Sequence, residues 1–95
     1  MVRRVVLGSG SLAQTVAESL RDRPGTLQVV ATDEGRAATL QDEGIDVAVG
    51  DPTDGETLAA LDEAGVVVVA DDEYATNLAA ARLVRSTFPD AHLVA

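Results

Sequence analysis

The residues best suited to chemistry form a small-residue turn near the amino terminus, with the spacing Gly8-x-Gly10-x-x-Ala13. An apolar run precedes it, and a helical pattern begins directly after it. In such a turn the first glycine reverses the chain, the second lets a pyrophosphate approach the backbone, and the third small residue lets helix pack on strand. The helix presents its N–H groups and positive dipole end to phosphates. The predicted nucleotide contacts are Gly8, Ser9, Gly10, Ser11, Leu12 and Ala13.

Two charged residues after the second apolar run could contact the same ligand. Asp33 lies 25 positions beyond Gly8, where a carboxylate accepts hydrogen bonds from both ribose hydroxyls. It would repel a 2′-phosphate and so favours NAD or ADP over NADP. A simple turn aspartate is the alternative. Arg36 could stack on adenine or pair with a phosphate, or it could be a solvated arginine on a helix face.

Further candidates follow the third and fourth apolar runs. Asp51 and Thr53 could border the adenine, or they could cap the next helix. Gly8 and Ala70 are expected beneath the ligand crevice, and Asp71 and Asp72 at its rim beside the pyrophosphate. The pair Asp71 and Asp72 could bind a metal, but a helix cap with surface charge is the preferred interpretation. No metal site is predicted.

Nothing in the sequence indicates that this domain catalyses a reaction by itself. His92 is the only histidine, so it has no partner of its kind, and a structural role is expected. Tyr74 lacks the lysine four residues later that a short-chain dehydrogenase needs, since position 78 is leucine. The chain also has no cysteine for a nucleophile or a metal ligand.

Composition restricts the class of protein. The 95 residues suit one domain, residues 1–95, and no run reaches the ~20 apolar residues of a membrane span. No signal-peptide pattern is present, so we expect a cytoplasmic protein. Sixteen acidic residues face seven basic ones, all arginine, and the net charge of −9 argues against a nucleic-acid partner. The absence of lysine and the excess of acid resemble the composition of halophilic proteins.

Strand and helix patterns alternate along the chain, which predicts an α/β fold. Right-handed crossovers then give a Rossmann-like three-layer αβα domain with five parallel strands in the order 3-2-1-4-5. The ligand crevice is expected between strands one and four. The chain ends within the fifth strand, so we expect a fragment truncated before a sixth strand. The predicted strands cover residues 4–7, 27–32, 45–49, 66–69 and 91–95.

The helices are predicted with less detail. The first runs from Ser11 to about residue 21, with Leu12, Val16 and Leu20 on one face. The second covers about residues 35–43 and is closed by Gly44. The third runs through Leu58 and Leu61 after a cap by Asp54 or Thr53. The fourth is capped by Asp71 or Asp72 and runs through Leu78 to about residue 87.

One further set of residues carries a resemblance to a known family. Its members are Gly8-Ser9-Gly10-Ser11-Leu12-Ala13, Asp33, Gly50-Asp51-Pro52-Thr53, Leu58 with Ala64-Gly65, Asp71-Asp72 with Asn77-Leu78, and Phe88-Pro89. This series resembles the domain that regulates potassium conductance, known as the RCK N-terminal or TrkA-N domain, over nearly the whole chain. Two positions depart from the family pattern: Ala13 replaces the third glycine, and Gln14 stands where a basic residue is frequent.

The resemblance implies a regulatory function. Such domains bind NAD(H), ATP or ADP and pass the binding state to a potassium channel or transporter subunit. They also precede DHH-type phosphoesterase domains related to exopolyphosphatases. The resemblance further implies a homodimer or higher oligomer, and a structural role for Asn77. The cofactor-binding half of an NAD-dependent oxidoreductase is the third alternative.

Overall fold

The computed structural model describes residues 3–8, 10–22, 25–59, 61, 64–71 and 73–94, without the side chains at 11 and 74. Strands and helices alternate along the whole of this part of the chain, as the sequence pattern predicts. The elements are β1 Arg3–Leu7, α1 Ser11–Leu20, β2 Thr26–Ala31, α2 Glu34–Asp42, β3 Asp46–Val49, α3 Gly55–Ala59, β4 Val66–Val69, α4 Tyr74–Thr87 and β5 His92–Val94.

The five strands form one parallel sheet in the order β3-β2-β1-β4-β5, which confirms the predicted topology and the Rossmann-like fold. In the register, Val6 of β1 lies opposite Val29 of β2 on one side and Val68 of β4 on the other. The four consecutive valines of β4 suit a central strand, because helices cover both faces of the sheet. The strand order reverses between β1 and β4, where the crevice is predicted.

Alternating side chains of the strands feed two hydrophobic layers, one on each face of the sheet. Val5 and Leu7 of β1 belong to the layer that holds Leu58 of α3 and Val84 of α4. Val6 points to the opposite layer, whose members from the helices are Ala13, Ala17 and Leu40. Because successive strand residues face opposite sides, one short strand serves both layers.

Helix α1 packs by its alanines rather than by its leucines. Ala13 and Ala17 are fully buried, and Val16 and Leu20 are partly buried beside them, whereas Leu12 is 49% exposed. Of the predicted face of Leu12, Val16 and Leu20, the last two therefore pack against the core, and Leu12 does not. Alanine at the contact allows the helix to lie close to the sheet, so the larger Leu12 is left at the edge of the interface.

Two helix ends also differ in how well the sequence predicts them. Gly44 follows α2 at φ +83°, and its N–H donates to the carbonyl of Gln41, so the predicted glycine ending is confirmed. Helix α3 spans only Gly55–Ala59, so the predicted continuation through Leu61 is wrong. The N–H of Leu61 instead donates to the carbonyl of Leu58 at 3.1 Å. Among the described residues, no helix is both long enough and apolar enough to cross a bilayer.

Candidate functional site

A polar cleft opens at the carboxyl ends of the first four strands. Its volume of about 470 Å³ lies in the range of small-molecule sites. Each of four loops contributes at least one residue, so the cleft lies across the point where the strand order reverses. The described residues that line it are Gly10, Thr32, Asp33, Asp51, Pro52, Thr53, Asp71, Glu73 and Thr76.

Backbone hydrogen bonds beyond the strand ends hold the loops around this cleft. The N–H of Gly8 donates to Val30 at 2.9 Å, and the N–H of Ala70 donates to Leu7 at 2.9 Å. The N–H of Gly50 donates to Ala31 at 3.0 Å in the same way. The ladder of the sheet therefore continues for one residue into three of the four loops.

Gly8 is required by packing between two loops. A Cβ at this position would lie 2.6 Å from the backbone nitrogen of Asp71 and 2.9 Å from the carbonyl carbon of Ala70. Its φ of +139° is also one that residues with a side chain rarely adopt. Gly8 is buried and is absent from the described lining of the cleft. Its role in the structure is to let the turn after β1 touch the end of β4.

Gly10 begins α1 at the edge of the cleft. It is the N-cap of the helix at φ +106°, and its carbonyl accepts the hydrogen bond from Gln14 N–H at 3.2 Å. The N-cap glycine has no side chain to accept a hydrogen bond from the first turn, and that turn contains no acidic residue. A helix start of this kind directs its backbone N–H groups and the positive end of its dipole toward the cleft that Gly10 lines.

Asp33 caps a helix and also lines the cleft. It is the N-cap of α2, and its Oδ1 accepts a hydrogen bond from Gly35 N–H at 2.9 Å. It also lines the cleft, and among the described residues its Oδ2 has no hydrogen-bond partner. The cap holds the carboxylate at the end of β2 and leaves the second oxygen for a ligand.

Asp51 and Thr53, in the loop after β3, form a turn that lines the cleft. Oδ1 of Asp51 accepts hydrogen bonds from the Thr53 hydroxyl at 2.6 Å and from the Thr53 N–H at 2.8 Å. The hydroxyl bond and then the N–H bond hold the pKa of Asp51 below its ordinary value of 3.8. The capping role falls to Asp54, whose Oδ1 accepts from Glu56 N–H at 3.0 Å, so Thr53 does not cap α3.

The segment after β4 is held by an asparagine. Oδ1 of Asn77 accepts from the Asp71 N–H at 2.7 Å, and Nδ2 of Asn77 donates to the Asp71 carbonyl at 2.8 Å. The predicted structural role of Asn77 is confirmed. The predicted cap by Asp71 is wrong, because the N-cap of α4 is Glu73, whose N–H donates to the Asp71 carboxylate at 3.1 Å. Asp72 lies outside the described residues.

The other predicted site residues are not part of the described lining. Ala13 and Ala70 are buried in the core, and Leu12 is exposed. Arg36 donates a hydrogen bond to Oε1 of Gln14, which brings its guanidinium beside the first turns of α1. Ser9 lies outside the described residues, as does the side chain of Ser11.

Four lining residues were missed by the sequence analysis: Thr32, Pro52, Glu73 and Thr76. Thr32 and Pro52 each lie next to a residue that was predicted to line the site. Since every loop at the carboxyl end of a parallel sheet can contribute to such a cleft, their place in the sequence could have identified them. Glu73 and Thr76 belong to the start of α4. Whether they line the cleft depends on how α4 packs against the sheet, and the local sequence does not reveal that packing.

The cleft is strongly acidic. Asp33, Asp51, Asp71 and Glu73 all line it, and no arginine is among the described lining residues. Within the described part of the chain, no group of three His, Cys, Asp or Glu residues is arranged to hold a metal ion. Backbone N–H groups and the helix dipole are therefore the features of this cleft that suit an anion.

The sequence profile of the TrkA-N domain matches residues 4–95 of this chain. The chain belongs to the TrkA-N domain family. The family resemblance found in the sequence is thereby confirmed, and the match includes all four loops of the cleft.

A solved structure supports the fold of this TrkA-N domain. The NAD(P)-binding domain of an exopolyphosphatase-related protein from Archaeoglobus fulgidus is 23% identical and superposes with a TM-score of 0.85. The alignment covers 98% of this chain and 71% of that one. At this identity the likeness shows a shared fold. No curated protein matches the chain.

Proposed function

We propose that this TrkA-N domain is a regulatory module that binds an adenine nucleotide in the cleft, with NAD(H) as the first ligand and ATP or ADP as alternatives. The observation that carries the proposal is the meeting of Gly10, Asp33 and Asp71 in one cleft at the β1–β4 switch point. The description of the Archaeoglobus fulgidus relative as NAD(P)-binding supports the choice of ligand.

The residues present suit the parts of such a ligand. The first turn of α1, residues 11–13, would receive the pyrophosphate on backbone N–H groups, and Arg36 adds a positive charge beside it. Oδ2 of Asp33 would accept hydrogen bonds from the ribose hydroxyls. Asp51 and Thr53, with Pro52 between them, would border the adenine.

The acidic lining bears on specificity. A 2′-phosphate on the adenosine ribose would be placed beside the carboxylate of Asp33, in a cleft that already has three other acidic side chains. Repulsion between these like charges disfavours NADP. We therefore propose that NAD(H) binds more tightly than NADP.

The proposed output is control of a partner by the bound state. Potassium channel or transporter regulation is the first candidate, because the chain belongs to the TrkA-N family. Regulation of a fused DHH-type phosphoesterase is the second, supported by the description of the Archaeoglobus fulgidus relative as exopolyphosphatase-related. In either setting we propose that residues 1–95 are one domain of a longer cytoplasmic polypeptide that works as a homodimer or higher oligomer. A third possible function, as the cofactor-binding half of an NAD-dependent oxidoreductase, has the least support.

The test exploits two matched helix caps. Asp33 and Asp54 each accept a hydrogen bond from the N–H two residues later, at 2.9 and 3.0 Å, but only Asp33 is among the described residues that line the cleft. Asn is as good a cap as Asp. Asp33→Asn therefore removes the charge at the ribose and keeps the cap, and Asp54→Asn repeats the same chemistry away from the site.

Calorimetric titration with NAD, NADP, ATP and ADP in molar potassium chloride gives the decision. We expect Asp33→Asn to weaken NAD binding by about tenfold, which corresponds to the loss of a charge-assisted hydrogen bond of about 1.5 kcal/mol. We also expect it to narrow the preference for NAD over NADP. Asp54→Asn should bind like the wild type. Failure of the wild-type protein to bind any of the four nucleotides would overturn the proposed function.

A further inference from the structure

The side chain of Asn77 connects α4 to the backbone at the end of β4. Its carboxamide makes both hydrogen bonds that a peptide group offers, accepting from the N–H of Asp71 and donating to its carbonyl. Because one partner only donates and the other only accepts, the orientation of the amide is unambiguous. The backbone N–H of Asn77 also donates to Glu73 at 3.2 Å, in the first turn of α4.

The residue that Asn77 holds is the one that contacts the glycine turn. The backbone nitrogen and Cα of Asp71 occupy the space that a Cβ of Gly8 would need, at 2.6 and 2.7 Å. Displacement of the Asp71 backbone therefore alters the packing beneath the turn that leads into α1. The chain of contacts runs from α4 through Asn77 and Asp71 to Gly8.

The segments at the two ends of this series of contacts both line the cleft. Glu73 and Thr76 belong to the start of α4, and Gly10 lies two residues after Gly8 in the turn before α1. Further along α4, Ala80 and Val84 are buried in the core, which makes the helix one packed body. A ligand between Gly10 and Thr76 would contact two segments that the Asn77–Asp71 bonds already hold together.

We propose that Asn77 is a positioning residue, which fixes the Asp71 backbone against Gly8 so that α4 and the glycine turn respond to nucleotide as one unit. This inference rests on the proposed function for its ligand. Loss of the two bonds leaves the segment after β4 free to move before binding, and ordering it then costs part of the binding free energy. Affinity would fall without any contact between Asn77 and the nucleotide.

The variant Asn77→Asp tests the positioning role, because its effect should depend on pH, whereas a general loss of packing would not. When protonated, the new carboxyl accepts from the Asp71 N–H and donates to the Asp71 carbonyl, as the amide does. When ionised, it loses the donor and places a charge beside the Asp71 carbonyl. The Asp71 N–H favours the ionised form of the new carboxyl, whereas the acidic residues that line the neighbouring cleft, Asp33, Asp51, Asp71 and Glu73, favour its protonated form. The pKa of the new carboxyl is therefore first located by an NMR titration of Asn77→Asp.

Two measurements are made on each variant, at one pH below and one pH above the pKa that this titration gives for the new carboxyl. The first is amide exchange at Asp71 without nucleotide, and the second is NAD affinity in molar potassium chloride. We expect Asn77→Ala to speed exchange and to weaken NAD binding by about tenfold at both pH values. Asn77→Asp should resemble the wild type at the lower pH and Asn77→Ala at the higher pH. Ala79→Asp is the control, because it adds the same charge at an exposed position of α4.

The outcomes separate this inference from the proposed function. If the wild type binds none of the four nucleotides, the proposed function fails, but Asp71 exchange in the two Asn77 variants still tests the connection. If Asn77→Ala does not fold, Asn77→Asp alone provides the pH comparison. Unchanged Asp71 exchange in every folded Asn77 variant would overturn the inference. It is equally overturned if the affinity of Asn77→Asp relative to the wild type does not depend on pH.

Discussion

The backbone nitrogen of Asp71 lies 2.6 Å from the position that a Cβ of Gly8 would occupy. These residues are far apart in sequence, and their contact joins the turn after β1 to the end of β4 at the point where the strand order reverses. The first glycine of the motif is thus needed for the contact between two loops, whereas Gly10 lines the cleft. Different glycines of one motif therefore have separable roles.

Gly8→Ala should destabilise the fold strongly. The new Cβ meets backbone atoms that cannot rotate away, and overpacking of this kind costs about 1–3 kcal/mol. The φ of +139° adds strain of about 1–3 kcal/mol. We expect the free energy of unfolding in a urea titration to fall by about 2–6 kcal/mol.

Gly44→Ala is the matched control for that prediction. Gly44 also has a positive φ, +83°, but a Cβ there would meet nothing within 4 Å. Its loss should be limited to the backbone strain of about 1–2 kcal/mol. Equal losses in the two variants would show that the contact with Asp71 does not determine the need for glycine at position 8.

Leu58→Ala should be among the most damaging core substitutions. Leu58 is fully buried in the layer formed with Val84 and the central strands, although α3 contains only five residues. Truncation of a buried leucine costs about 2–5 kcal/mol. Leu12→Ala, at a side chain that is 49% exposed, should cost less than half as much. Thermal and urea unfolding of both variants checks the order, and a larger loss at Leu12 would contradict the described packing.

The carboxyl of Asp51 should titrate below its ordinary pKa of 3.8 in an NMR titration. The Thr53 hydroxyl and N–H stabilise the ionised form, and a depressed pKa adds stability that is present above the ordinary pKa and is lost as the pH falls through the folded value. Thr53→Val removes the hydroxyl bond and keeps the N–H bond. The pKa of Asp51 should then rise toward 3.8. An unchanged pKa of Asp51 in Thr53→Val would show that the Thr53 N–H alone lowers it.

The melting temperature should rise with salt. Sixteen acidic residues against seven arginines give a net charge of −9 in a chain of 95 residues, so the folded state carries substantial self-repulsion. The screening length falls from about 10 Å at 0.1 M to about 3 Å at 1 M salt. A melting series in potassium chloride should show a steady increase, as expected of a halophilic protein. A flat or falling series would contradict this interpretation of the composition.

Much of the architecture follows from local sequence. Several short segments specify an element or its end within a few residues. They are the four valines of β4, the glycine after α2, and the small-residue turn at Gly8 and Gly10. Given alternating strands and helices, right-handed crossovers leave few topologies, and the predicted strand order is confirmed. The same topology brings Asp33, Asp51 and Asp71 to one edge of the sheet, because each follows a parallel strand.

The tertiary structure decided what depends on distances between remote segments. Periodicity did not reveal that α1 turns Ala13 and Ala17 toward the core and leaves Leu12 exposed, or that Arg36 of α2 reaches Gln14 of α1. The bonds from Asn77 to both backbone groups of Asp71 likewise depend on how the start of α4 lies against the end of β4. The local sequence determined which helices and strands form along the chain, since the formation of each element depends mainly on neighbouring residues. Tertiary packing determined which side chains are in contact, since those contacts form only when the helices pack against the sheet.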